Sequence, residues 1–195
     1  MIPDLKNLVQ DAWNKKEYQP VAVAIISDKK GRVILLESAK KRYEWSLPQG
    51  GIDEDESAED ALFREIKKKI SIDRTNLTLI QFLGAEDLDA PDERPDEQGF
   101  TKGKRYFFFY LSWNGNGALR VDEQELRSCA LVRVEDTVDF LLSLKAEKKM
   151  LLLKFLLRVA GRVIFGEPRG VMTDKSSLDE LRQGLPMSMS DYEKK

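Results

Sequence analysis

The segment Gly50-Gly51-Ile52-Asp53-Glu54-Asp55-Glu56-Ser57-Ala58-Glu59-Asp60-Ala61-Leu62-Phe63-Arg64-Glu65-Ile66-Lys67-Lys68-Lys69-Ile70-Ser71-Ile72 opens as a glycine turn, becomes a carboxylate-rich loop and closes as a helix. Ser57 with Asp60 three residues on resembles a capping box, so the spacing predicts a helix from Ala58 to Ile70. Leu62, Phe63, Ile66 and Ile70 make its apolar stripe. Glu65, Lys68 and Lys69 fall at i, i+3 and i+4 and make a polar face beside it. Such a helix start offers free N–H groups to anions, and the loop carboxylates offer oxygen to a hard cation.

Working outward, Leu5, Leu8, Val9, Ala12 and Trp13 predict a short amphipathic helix over 4–16, which packs on the domain or meets a partner. Val21 to Ser27 and Arg32 to Leu36 flank the turn Asp28-Lys29-Lys30-Gly31 and predict a hairpin. Lys40, Lys41 and Arg42 fall in the following loop, with Tyr43 and Trp45 read as packing residues. Further strands are predicted over Leu77 to Leu83, Tyr106 to Trp113 and Ala130 to Val134. Glu86 to Gln98 is acidic, contains two prolines and reads as a mobile loop. Asp136 to Phe165 is helical in two pieces, with Lys145, Lys148, Lys149 and Lys154 as solvated positions. Strands and helices are mixed rather than alternating, which predicts an α/β fold with a mixed sheet between helices. The division is an N-terminal helix over 1–17, a main domain over 18–166 and a loose tail over 167–195.

Composition narrows the chemistry. Of 195 residues, 42% are hydrophobic and 34% charged, enough for one packed core. Lys and Arg total 32 against 34 acidic residues, a net charge of −2 that argues against a surface built to coat nucleic acid. The chain contains no histidine, which excludes His-dependent triads, proton shuttles and His-ligated zinc. The single cysteine, Cys129, cannot form an intramolecular disulfide and suits a reducing compartment. The N-terminus reads without a signal peptide, and the apolar run Met150–Phe165 is broken by Lys154, Arg158 and Arg162. A cytoplasmic protein without membrane contact is expected.

Gly50, Glu56, Arg64, Glu65, Ile66 and Ile72 stand at the spacing of the Nudix signature, G-x5-E-x7-R-E-U-x-E-E-x-G-U, where U is bulky and apolar. The chain resembles the Nudix hydrolases from Tyr18 to about Ala160. Trp45-Ser46-Leu47-Pro48-Gln49-Gly50-Gly51-Ile52, Tyr18-Gln19-Pro20 and Lys102-Gly103-Lys104-Arg105-Tyr106-Phe107 resemble the branch of RNA pyrophosphohydrolases and diadenosine polyphosphate hydrolases. The resemblance implies a Nudix-type α/β/α sandwich, with the N-terminal helix and a C-terminal helical extension added. It also implies a Mg or Mn ion that assists water attack on the phosphorus of a nucleoside polyphosphate. Glu65 matches the first helical metal ligand, Glu125 the distant one with Glu123 as fallback, and Glu56 and Arg64 complete the catalytic set. Gly50 and Gly51, with Lys102, Lys104 and Arg105 among aromatics, are candidates for substrate contact.

The consecutive glutamates of the signature are Lys68 and Lys69 here, and its glycine is Ser71. Two ammonium groups in place of two carboxylates change the local charge by about four units where a divalent ion needs anionic oxygen. The expectation is a degenerate box that binds a nucleotide or RNA 5′ end, with its metal site at Glu65, Glu56 and Glu125 weak or absent, hydrolysis lost or much weakened, and Mg or Mn as the cofactor only if the site is active. Lys68 and Lys69 then become phosphate anchors, against the plainer reading of an i,i+4 ion pair with Glu65. Two alternatives stand beside it. One is an active Mg-dependent pyrophosphohydrolase whose site is rebuilt from Glu56, Glu65 and Glu125, with Glu54, Asp55 and Glu59 as rescuing oxygens. The other is a protein-interaction module working through the N-terminal helix or tail.

Overall fold

The computed structural model describes residues 5–90 and 95–165, except the side chains of 162–165. Two parallel strands form its spine. β1 (Tyr18–Ser27) lies beside β6 (Gly103–Trp113) in register from Tyr18↔Gly103 to Ser27↔Ser112. Both are near-continuous apolar runs, as strands covered on both faces require. Ala22, Ala24, Ile26, Phe107 and Phe109 face one layer, with α1 (Leu5–Lys15) and α2 (Ala58–Ile70) over them. Val21, Val23, Ile25, Tyr106 and Phe108 face the other, under α4 (Ala146–Phe165). The result is a mixed sheet between helical layers.

The Val21–Leu36 hairpin forms, but β1 and β2 (Arg32–Ser38) are registered together only at Ser27↔Val33. They then diverge. β1 takes β4 (Gln49–Gly51), with Val21 opposite Gly51, while β2 takes β3 (Trp45–Ser46) and β7 (Leu126–Arg133). The sheet therefore forks, and the segment Trp45–Gly51 is drawn into the fork as two strands too short to show in the sequence pattern.

β5 runs from Leu77 to Asp89, beyond the expected end at Leu83. The acidic residues expected to start a loop are instead paired with β6 through Asp89↔Gly103, and Asp87 takes a bidentate Arg105 at 2.6 and 2.8 Å. A methyl group at Gly103 would stand 2.2 Å from the Leu88 carbonyl oxygen, so this close pairing needs glycine. The expected C-terminal helices appear as a short α3 (Thr137–Phe140), flanked by 3-10 turns, and then α4. The 167–195 tail lies outside the described residues. No helix among the described residues is long and apolar enough to cross a membrane.

α1 packs on the domain through buried Val9, Ala12 and Trp13. The Trp13 indole donates to the Ile52 carbonyl at 3.2 Å, tying this helix to the start of the carboxylate loop. On the opposite layer the Phe155 ring stacks on Phe108 with centroids 3.8 Å apart. Phe155→Ala should cost about 3–5 kcal/mol in urea unfolding, because the site is fully buried and leaves a cavity. A loss below ~1 kcal/mol would mean that α4 contributes little to the core.

Candidate functional site

The Ser57 hydroxyl caps α2 by accepting the Asp60 N–H at 3.1 Å, which fixes where the helix starts and hence which residues face the fork. At the other end Ser71 stands in the left-handed conformation at φ 59°, the position where the signature has glycine. Glu65 is buried at 8% exposure and lies against Gly50. A Cβ on residue 50 would fall 2.1 Å from the Glu65 side chain, so glycine here makes room for the carboxylate.

Arg64 closes the loop onto α2. Its guanidinium donates to both Glu56 oxygens at 2.8 Å and to the Gly51 carbonyl at 2.9 Å, and it pairs with Glu65. The Arg64 hydrogen bonds hold the Glu56 carboxyl below its ordinary range.

Glu125 comes from a tight turn ahead of β7, fixed by its own N–H to Asp122 O at 3.1 Å. One carboxylate oxygen accepts Lys68 and the other accepts Lys69. These two hydrogen bonds lower the Glu125 carboxyl to about 2, and the partnership raises Lys68. Lys69 also stands 3.6 Å from Glu65, so its ammonium lies between Glu65 and Glu125. Glu123, the fallback, is exposed and is not the residue that meets the lysines. The three carboxylates Glu56, Glu65 and Glu125 thus face three cations, Arg64, Lys68 and Lys69. Among the described residues no group of three or more Asp, Glu, Cys or His side chains is arranged to hold a metal. Glu54, Asp55 and Glu59 do not supply one.

Lys69 and Glu125 line a hollow of about 190 Å³ in the fork, together with Ser46, Gln49, Glu44 and Lys148. The Gln49 Oε1 atom is buried there without a hydrogen-bond partner among the described residues. Glu44 and Lys148 also line an adjoining hollow of about 590 Å³ with Lys41, Leu144 and Lys145. Burial pushes the Lys148 amine below its ordinary range, and the neighbouring charges of Lys104 and Lys41 add to this. Sequence reading placed Lys148 in solvent. The available signal was its spacing with Leu152, Phe155 and Val159, which puts it on the buried stripe of α4.

Lys102, Lys104 and Arg105 are not brought together as one patch. Lys102 pairs with Glu17 at 2.6 Å, and Arg105 turns to the α1 layer against Asp87. Only Lys104 acts on the Lys148 side. The reason is strand alternation, which sends neighbours 104 and 105 to opposite faces. Trp45 packs edge-on to Phe140 at 5.2 Å as expected, but Tyr43 is 65% exposed and not a packing residue.

Residues 17–155 match the family profile described as NUDIX domain, and the chain belongs to that family. It is similar to proteins named RNA pyrophosphohydrolase. The one from Sphingopyxis alaskensis is 30% identical over 122 residues, covering 59% of this chain and 77% of that protein. The one from Sulfurovum sp. is 41% identical over 68 residues, covering 33% of this chain and 43% of that protein. The chain thus spans less than half of that second relative. Among solved structures, a C. elegans Ap4A hydrolase binary complex has the same fold at TM-score 0.55 and 23% identity, over 72% of this chain and 98% of that one.

The lowered Glu125 carboxyl carries a pH signature. A depressed folded-state pKa contributes stability above the ordinary value near 4.5, and that contribution is lost as pH falls toward about 2. Glu125→Gln should therefore flatten the acid limb of a stability-against-pH curve between those values, as read by thermal melts. An unchanged acid limb would mean that the Lys68 and Lys69 pairing is not formed in solution.

Proposed function

We propose that this Nudix domain binds a nucleoside polyphosphate or an RNA 5′ end, and that metal-dependent hydrolysis at its box is lost or much weakened. The observation carrying this reading is the Lys69 ammonium between Glu65 and Glu125, the carboxylates that the family resemblance assigns to a metal. Nudix hydrolases generally use divalent metals such as Mg. Such an ion needs anionic oxygen, and here each candidate ligand already carries an ammonium or guanidinium. A dication ~4 Å from the half-enclosed Lys69 would meet roughly 8 kcal/mol of repulsion at an effective dielectric of ~20. The residues as placed do not fit a divalent ion.

What remains offers ammonium groups to an anion. The two hollows are lined by Lys41, Lys69, Lys145 and Lys148 with Glu44, Asp89, Glu125 and Glu147, and Lys68 joins them on Glu125. Lys68 is half exposed and can exchange Glu125 for a phosphate, and partly buried Lys148, whose charge is disfavoured where it stands, gains from a counter-charge. The naming of relatives as RNA pyrophosphohydrolases supports a 5′-polyphosphate as the ligand class. A cytoplasmic setting belongs to this reading, in keeping with the half-buried, unpaired Cys129. α1 spends its apolar face on the core, so it adds no free docking helix.

Thermal melts with Mg²⁺, Mn²⁺ and a short 5′-triphosphorylated RNA test the reading, alongside phosphate release from that RNA. The RNA should raise Tm by about 5–10 °C near 100 times Kd, while Mg²⁺ alone should leave it unchanged. Lys68→Glu/Lys69→Glu should gain a Mg²⁺-dependent rise, because it returns oxygen ligands to the site. Robust Mg²⁺-dependent phosphate release by the unaltered protein, abolished in Glu65→Gln, would overturn the inactive-box reading in favour of the working hydrolase.

A further inference from the structure

Tyr43 combines two properties that rarely coincide. Its backbone is in the left-handed region at φ 64°, where a bulky β-carbon is crowded and glycine is the relaxed choice. Its side chain is 65% exposed, so packing of the ring does not maintain that conformation. The constraint comes from hydrogen bonds on either side of the residue. The Tyr43 N–H donates to Glu37 at 2.9 Å, and the Tyr43 carbonyl accepts the Ser143 hydroxyl at 2.7 Å. Glu37 is only 6% exposed, sits at a β-bulge and also accepts the Ser128 hydroxyl at 2.8 Å. Its carboxyl is held below the ordinary range chiefly by the Tyr43 N–H. A buried carboxylate is thus used to aim an aromatic ring into solvent.

Tyr43 belongs to the loop that borders the candidate site. Its neighbour Lys41 lines the larger hollow and Glu44 lines both, and Ala39 N–H donates to the Glu125 carbonyl at 3.0 Å. The loop is thereby tied to the backbone of the residue whose carboxylate holds Lys69. The Arg42 guanidinium lies 5.2 Å from the Tyr43 ring centre, and Lys40 and Lys41 precede it. Strain that persists only because surrounding structure over-determines it points from geometry to function.

We propose that Tyr43 is a stacking platform for a base of the bound polyphosphate ligand, held in position by Glu37. This rests on the polyphosphate-binding reading above. The hollows take the phosphates, Arg42 and the adjacent lysines screen the strand, and the ring meets a base face. Stacking on one aromatic is sequence-tolerant because every base has a π-face, so the platform selects ligands that carry a base over bare polyphosphate.

The test compares Kd values for three probes by calorimetry: ATP, a short 5′-triphosphorylated RNA and inorganic tripolyphosphate. Tyr43→Ala should weaken the base-bearing probe or probes that bind by about tenfold or more while leaving tripolyphosphate unchanged. Tyr43→Trp should retain the affinity. Tyr43→Gly should lose it just as Tyr43→Ala does, yet keep or raise Tm, since glycine relieves the left-handed backbone. A ring that merely supported the loop would instead lower Tm on removal. Equal affinity of Tyr43→Ala and the unaltered protein, or an equal loss across all three probes, overturns the platform. Absence of binding by the unaltered protein to any probe overturns the polyphosphate reading itself, which separates the two failures.

Discussion

The Lys69 ammonium between Glu65 and Glu125 joins parts of the chain nearly sixty residues apart. Glu65 is buried against Gly50 and cannot retreat into water, while a turn holds the backbone of the more exposed Glu125 across from it. Two such anions facing one fork would repel and pay a desolvation cost unless a cation stood between them. The backbone reinforces the same junction. The Arg120 and Asp122 N–H groups donate to the carbonyls of Ile70 and Lys69 at 3.2 and 3.0 Å, satisfying the end of α2 with the segment that carries Glu125. The loop bearing Tyr43 attaches to that segment in turn through Ala39. The cationic centre and these backbone hydrogen bonds together hold the end of the helix, the distant carboxylate and the mouth loop at one junction.

Family membership and the local chemistry speak to different properties. The Nudix frame needs a cation where carboxylates converge, but folding does not distinguish a metal ion from an ammonium. Catalysis does. An ammonium neutralises anionic oxygen and donates hydrogen bonds, yet it cannot lower the pKa of a bound water as a dication does. A chain can therefore keep the helix, the glycine turn and the Arg64 staple intact while its chemistry changes. This is why likeness to RNA pyrophosphohydrolases supports the ligand class more directly than it supports turnover.

Much of this was legible in the sequence. The Ser57 cap, the apolar stripe of α2 and the spacing of Gly50, Glu56, Arg64 and Glu65 are local signals, and local signals survive folding. Glu125 was reachable through the resemblance, although no pattern of residues placed it beside Lys69. The losses have physical causes. Trp45–Gly51 makes two strands of two and three residues, below the length at which alternation can be read. The acidic end of β5 is strand only because Arg105 and the Gly103 backbone lie across from it. Lys102, Lys104 and Arg105 looked like one patch because adjacency in sequence hides the alternation of faces. Tyr43 resembled a packing residue since its exposure is decided by a backbone conformation that residue type does not announce.

Lys69, Lys68, Lys41 and Lys148 are not equivalent, and their differences order what each can contribute. Lys69 is 14% exposed and committed to two carboxylates, so moving it would leave Glu65 buried without that partner. It is a structural cation. Lys68 is half exposed and holds a single carboxylate, so exchanging that partner for a phosphate costs little more than one screened ion pair. Lys41 pairs with Glu44 at 3.3 Å on the exposed rim and is equally exchangeable. Lys148 makes no ion pair within 4 Å among the described residues, and its charge is disfavoured by burial and by Lys104 and Lys41, with Glu44 acting in the opposite sense. An incoming polyphosphate would relieve Lys148 most and disturb Lys69 least. On the proposed polyphosphate reading, affinity for the ligand and integrity of the fork fall to different residues, so one can be varied without dismantling the other.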